Sequence, residues 1–164
     1  MTDAMFSRRL LGYRMIEQEL WDAYCTTVVT FLDDHNQHCV VTPASEVSGS
    51  WIGGSANGEI LIISAANPFS EMISDEANQE LELTLKALLV EQGFHFRDCQ
   101  GQSPDGTWVE RSFMVFNAPL DAIRQIGADY LQNAIFRWTP GTWECISLVS
   151  DQHFVSGWSS EPVD

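Results

Sequence analysis

The residues of this chain best suited to chemistry are Asn67, Asn78, Glu110, Ser112 and Gln132, all in its central part. Amide side chains offer donors and acceptors together, which suits recognition of a neutral polar molecule such as a base, an amide or a sugar. Glu110 and Ser112 stand two apart in a strand-like run, so they share a face while Arg111 points the other way. A carboxyl there becomes a general acid or base if burial raises its pKa, and a serine beside it can orient a hydroxyl or a phosphate. Glu110 is therefore the catalytic candidate, and Asn67, Asn78, Ser112 and Gln132 are the ligand-binding candidates. Three of them have a plainer reading: Asn67 satisfies a turn, Asn78 bonds within a first helical turn, and Glu110 pairs with an arginine across strands.

Other chemistries find less support. Cys25, Cys39, Cys99 and Cys145 are widely spaced and form no CxxC pair. His35, His38 and Cys39 would meet a metal only if their loop folded over, so no metal is expected. Cys25, Cys99 and Cys145 fall in apolar or strand-like contexts and read as small buried hydrophobes. There is no GxxxxGK, GxGxxG, GxSxG or HExxH, and no cofactor is expected. His95 and His153 lack neighbours that would make a triad. Trp108, Trp138 and Trp143 read as aromatics capping a sheet.

Periodicity assigns the elements that must carry these residues. Tyr13, Ile16, Leu20, Tyr24, Val28, Phe31 and Leu32 recur at helical steps and predict one long amphipathic helix over 7–33, although the β-branched run Thr26 to Thr30 can break it or begin a strand. Cys39 to Thr42 is a short strand candidate stopped by Pro43. Residues 44–58, with four glycines and four serines, read as a loop carrying Trp51 and Ile52. The apolar run in Glu59 to Ala65 predicts a strand covered on both faces and ending at Asn67-Pro68. Ser74 caps a helix whose buried stripe is Ala77, Leu81, Leu85 and Leu88, stopped at Gly93. A strand with Phe94 and Phe96, a turn over Gln100 to Thr107 and a strand over Trp108 to Phe116 follow. Pro119 opens a helix with Leu120, Ile123, Gly127, Tyr130, Leu131 and Ala134 on one face. Ile135 to Trp138 and Trp143 to Val149 form a hairpin about Pro140-Gly141, and the polar tail beyond is expected to fray.

The order α-β-α-β-β-α-β-β predicts an α+β fold, a mainly antiparallel sheet with helices on one face. Within it, the six elements after the first helix follow a ferredoxin-like order. The 164 residues read as one domain, with the first helix and Gly/Ser loop over 1–58, a core over 59–149 and a tail over 150–164.

Charge narrows the partners. With 23 acidic and 8 basic residues the net charge is −15, a field that repels phosphates and anionic lipid, so neither nucleic acid nor membrane is expected as a partner. A protein partner docking on an acidic face stays open. No apolar run approaches the ~20 residues of a membrane span. Glu17, Glu19 and Asp22 soon after Arg8 and Arg9 do not suit a signal peptide, so a cytoplasmic location is expected.

The ordered polar series carries one resemblance. Ser64-Ala65-Ala66-Asn67-Pro68, Asn78, Gly101, Trp108-Val109-Glu110-Arg111-Ser112-Phe113 and Gln132-Asn133-Ala134, over about Ile60 to Val149, resemble a bacterial domain of unknown function, family 3293. The resemblance implies a small bacterial protein and brings no reaction, ligand or catalytic residue. The expected function is binding of a small polar ligand at the five candidates. The alternatives are an enzyme using Glu110 as acid or base, and an acidic interaction or inhibitor protein.

Overall fold

The computed structural model describes residues 13–163. Eight strands are present among the described residues: β1 Val28–Leu32, β2 His38–Ala44, β3 Ile60–Ile63, β4 His95–Gln102, β5 Val109–Phe116, β6 Ala134–Trp138, β7 Trp143–Ser147 and β8 His153–Pro162. Three α-helices accompany them among the described residues: α1 Gln18–Cys25, α2 Asp75–Glu91 and α3 Leu120–Asp129. The strands close into a barrel in the order β1-β2-β8-β7-β6-β3-β5-β4, every neighbouring pair antiparallel.

This overturns the expected α+β sheet with helices on one face and its ferredoxin-like core. The difference lies in the strands at either end of the chain. The apolar steps over 7–33 join two elements: α1 ends at Cys25, and Val28, Val29 and Phe31 lie in β1, where β-branched side chains pack well on a pleated surface. The part of that predicted helix over 7–12 lies outside the described residues. Pro43 does not stop β2, which runs on to Ala44 and pairs Pro43 with Trp158. Residues 153–162 do not fray. They form β8, which bonds β2 on one side and β7 on the other.

Closure divides the apolar residues between two layers. Ile60 and Ile62 of β3 face the barrel interior with Val29, Phe31, Met114, Trp138, Trp143 and Trp158. Leu61 and Ile63 face outward and meet Leu85 and Leu89 of α2 and Ile123 and Ile126 of α3. Both faces of β3 are thus covered, as its uninterrupted Ile-Leu-Ile-Ile run predicts. Trp138 is the hub of the interior, with the rings of Phe31, Trp51 and Trp158 at 5.8, 5.4 and 5.2 Å. Trp51 and Ile52 of the Ser/Gly loop cover this end of the barrel. At the other end α1 lays Trp21, Leu20 and Tyr24 against Ala134, Phe136 and Cys145.

The two outer helices follow their local signals closely. Ser74 Oγ accepts from Ala77 N at 3.1 Å at the start of α2, with Asp75 and Glu76 in the first turn. The fully buried pair is Leu85 and Leu89, with Leu81 and Leu88 packed beside it. Helix α3 stops at Asp129, and Leu131, expected on its buried face, is exposed with φ 57°. Gly127 lets α3 approach the sheet, since a Cβ there would lie 2.5 Å from Leu148 Cδ1.

Trp158 is 1 % exposed and donates its indole N–H to Thr139 O at 2.9 Å. Trp158→Ala is expected to cost about 3–5 kcal/mol in urea unfolding, the range for deleting a buried large aromatic. A loss under about 0.5 kcal/mol, typical of a surface change, would mean that β8 does not close the barrel.

Candidate functional site

The inward face of β5 carries Glu110, Ser112 and Met114 in alternation, and Met114 belongs to the barrel interior. Glu110 therefore points inward near the α1 end, opposite Gly101 of β4. Arg111 points outward, with Nη1 3.5 Å from Glu82 Oε1 of α2. Among the described residues no arginine pairs with Glu110, whose cross-strand partner is Gly101; its Oε1 accepts from Asn67 Nδ2 at 3.0 Å.

Asn67 reaches Glu110 because the chain after β3 takes an unusual path. Asn67, Phe69 and Ser70 all have positive φ, 46°, 54° and 61°, around a short 3-10 turn at Pro68–Ser70. The proline disfavours a right-handed helical Asn67, and asparagine tolerates the left-handed region better than most residues. Such conformations cost on the order of 1–3 kcal/mol each and persist only where surrounding contacts fix them. Here Asn67 N donates to Asn78 Oδ1 at 2.9 Å, and Asn78 Nδ2 donates back to Asn67 Oδ1 at 2.9 Å. Ile73 N also donates to Asn67 Oδ1, at 3.2 Å, and Phe69 N to Leu131 O at 2.7 Å. Asn67 thus satisfies a turn as the plainer reading has it, while Asn78 bonds across to Asn67 rather than within its own helical turn.

The far side of this turn is tied down as well. Ser70 Oγ shares a short hydrogen bond with Tyr24 Oη and accepts from Asn133 Nδ2 at 3.1 Å. Arg14 Nη2 donates to Asn133 Oδ1 at 2.7 Å, and its guanidinium lies 4.2 Å from the Phe69 ring centre. Gln132 Nε2 donates to Ala66 O and Tyr130 O at 3.1 and 3.2 Å.

These side chains frame two spaces rather than one. An open cleft of about 360 Å³ is lined by Asn67, Asp75, Asn78, Glu82, Glu110 and Arg111. A smaller, more enclosed cavity of about 20 Å³ lies on the barrel side, lined by Tyr24, Thr27, Gly101, Glu110, Ser112 and Gln132 among others. Of the candidates read from the sequence, Asn67, Asn78 and Glu110 meet in the cleft, while Ser112 and Gln132 sit behind it. Glu110 belongs to both walls. Tyr24, Ser70 and Asn133 adjoin these side chains and lie outside the candidates read from the sequence. Asn133 stands beside Gln132 in the Gln-Asn-Ala string, but nothing in the sequence separates the Tyr24 hydroxyl from the apolar stripe its ring belongs to. Among the described residues, no group of three or more His, Cys, Asp or Glu side chains is placed to hold a metal ion. Cys39 is buried, its thiol 3.9 Å from Asp33 Oδ2.

Burial pushes the Glu110 carboxyl up to about 7, and the hydrogen bond from Asn67 offsets only part of this. Burial also raises the Tyr24 hydroxyl, partly offset by Ser70 and Asn133, while Glu110 raises it further. Glu110 is thus mixed between its neutral and charged forms near neutral pH, with Tyr24 a proton donor behind it.

A carboxyl raised from 4.5 in the unfolded chain to about 7 binds its proton more tightly when folded. Its stabilisation is fully present below pH ~4.5 and is lost as pH rises through ~7. Glu110→Gln mimics the neutral form, so wild type should lose on the order of 3 kcal/mol relative to the variant between pH 4.5 and 8. Chemical denaturation of both proteins at several pH values measures this. A wild-type-to-variant difference that stays constant with pH would show that Glu110 titrates normally.

Residues 63–135 match the family model described as protein of unknown function (DUF3293). No curated protein and no solved structure gives a significant match to the chain. The matched stretch holds Asn67, Asn78, Gly101, Glu110, Ser112, Gln132 and Asn133, whereas Arg14, Tyr24 and Thr27 lie before it. Over this stretch, which carries the cleft, the chain resembles that family of unknown function.

Proposed function

We propose that the cleft binds a small polar molecule, neutral or positively charged, and that Glu110 is its central recognition group. What supports this is the half-buried Glu110 carboxyl in the cleft wall, oriented by an asparagine whose other bonds are already committed. The charges of the cleft favour such a ligand over an anion: Asp75, Glu82 and Glu110 face one guanidinium, Arg111, which already pairs with Glu82. A carboxyl near its midpoint can donate or accept a hydrogen bond, so it recognises alcohols, amides and amines alike. The four free thiols support a reducing, cytoplasmic setting.

A second reading rests on the same carboxyl. A group ionising near 7 is matched to general acid–base catalysis at neutral pH, which supports an enzyme that moves a proton to or from the bound molecule.

A thermal-shift screen of polyols, amides and amines against wild type and Glu110→Gln separates these readings. A ligand present at a hundred times its Kd stabilises by about 2.7 kcal/mol, on the order of 5–10 °C for a domain of this size. Hits are expected to shift wild type and to lose most of that shift in the variant. Equal shifts in both proteins would place the ligand elsewhere, and chemical conversion of a hit with a pH-dependent rate would favour the enzyme.

A further inference from the structure

The small cavity behind Glu110 has a missing side chain in its wall. Gly101, opposite Glu110 across the β4–β5 pair, does not use the left-handed backbone that glycine alone adopts freely. A Cβ added there would meet Thr27 Cγ2 at 3.6 Å and Ser112 Oγ at 3.9 Å, ordinary contact distances. Alanine therefore fits both the backbone and the space, and is favoured over glycine within a strand. What glycine leaves at this position is about 20 Å³, enough for one water.

The wall of this cavity is rich in acceptors. Thr27 Oγ1 spends its proton on Ala23 O at 2.9 Å, and Ser64 Oγ spends its own on Arg111 O at 2.9 Å. Gln132 commits its amide nitrogen to Ala66 O and Tyr130 O, which leaves its oxygen to accept. The Ser112 hydroxyl has only a 3.5 Å contact with Glu110 O, so it is available to donate. A water needs two to four polar partners, and here it finds hydroxyls, an amide oxygen and a carboxyl.

We propose that this cavity is a binding site for one water molecule, which donates a hydrogen bond to the Glu110 carboxylate from the barrel side. The other ionisable groups around that carboxyl are Tyr24 of α1, Asp75 and Glu82 of α2, and Arg111 on its own strand. Burial is what disfavours an ionised Glu110, the Asn67 bond favours it, and Tyr24 stays protonated, so a donor from inside the barrel supports the charged form. The water thereby tunes how much of Glu110 is ionised at neutral pH. The site stands whether or not the cleft takes a ligand, and its test reads stability and titration alone.

Gly101→Ala supplies the test, because its methyl fills the cavity and displaces the water. The expected result is a lower Tm than wild type, against the gain that alanine normally brings to a strand. The Glu110 midpoint, followed by ¹³C NMR of labelled glutamate and assigned with Glu110→Gln, is expected to rise by about one unit. A Tm that is unchanged or higher, with Glu110 titrating as in wild type, would mean that the methyl filled a dry void and would overturn the proposal. If Gly101→Ala does not fold, a high-resolution crystal structure of the wild type decides. Ordered density within hydrogen-bond distance of the Glu110 carboxyl supports the site, and a cavity without such density overturns it.

Discussion

The structure depends on β1 being hydrogen-bonded along both edges. Phe31 stands opposite Cys39 of β2 and Cys99 of β4 at once, and that double pairing turns an open sheet into a barrel. Closure removes the exposed edges that would otherwise invite association with other strands. It also creates an inside, and the alternation of side chains then decides what lies there. Met114 packs among the tryptophans, so Ser112 and Glu110, two and four residues earlier on β5, turn inward as well. A carboxyl enters the barrel end because the same strand buries a methionine at its other end.

Holding that carboxyl requires a second constraint, supplied by the turn after β3. Three non-glycine residues with positive φ in four positions are costly, and the bonds of Asn67, Asn78, Ser70 and Asn133 offset that cost. The two asparagines satisfy one another, which leaves one Asn67 N–H to fix Glu110 Oε1. They act as positioning residues whose consequence is the orientation of Glu110. Strain of this kind is concentrated where a geometry must be kept, and here it borders the cleft that Asn67, Asn78 and Glu110 line.

How much was legible in the sequence depends on whether the signal was local. The Ile60 to Ile63 run, the Ser74 cap and the Pro140-Gly141 hairpin declare themselves in a few residues, and the structure keeps all three. The residues of the polar series from Asn67 to Gln132 come together, because strand ends and helix starts converge in space. What stayed hidden is long-range. Strand β8 fully buries one large side chain, Trp158, and its Phe154 and Val155 show no regular alternation, so its pairing with β2 and β7 leaves little trace in the pattern. The steps from Tyr13 to Leu32 fit a helix because three- and four-residue spacing happens to continue from α1 into β1. The β-branched run Thr26 to Thr30 is the signal that separates them. The division of the site by Glu110 into an outer cleft and an inner cavity depends on Gly101 lying opposite it, a register that no spacing rule supplies.

The central claim is that burial at the barrel end, with Asn67 as its one hydrogen-bond donor among the described residues, makes Glu110 a carboxyl balanced between its two forms at neutral pH. The most direct measurement is the ¹³C titration of the Glu110 side-chain carboxyl in the intact wild-type protein. A midpoint near 7 is predicted. A midpoint near the ordinary 4.5 would show a solvated surface carboxylate and would remove the physical basis of the site.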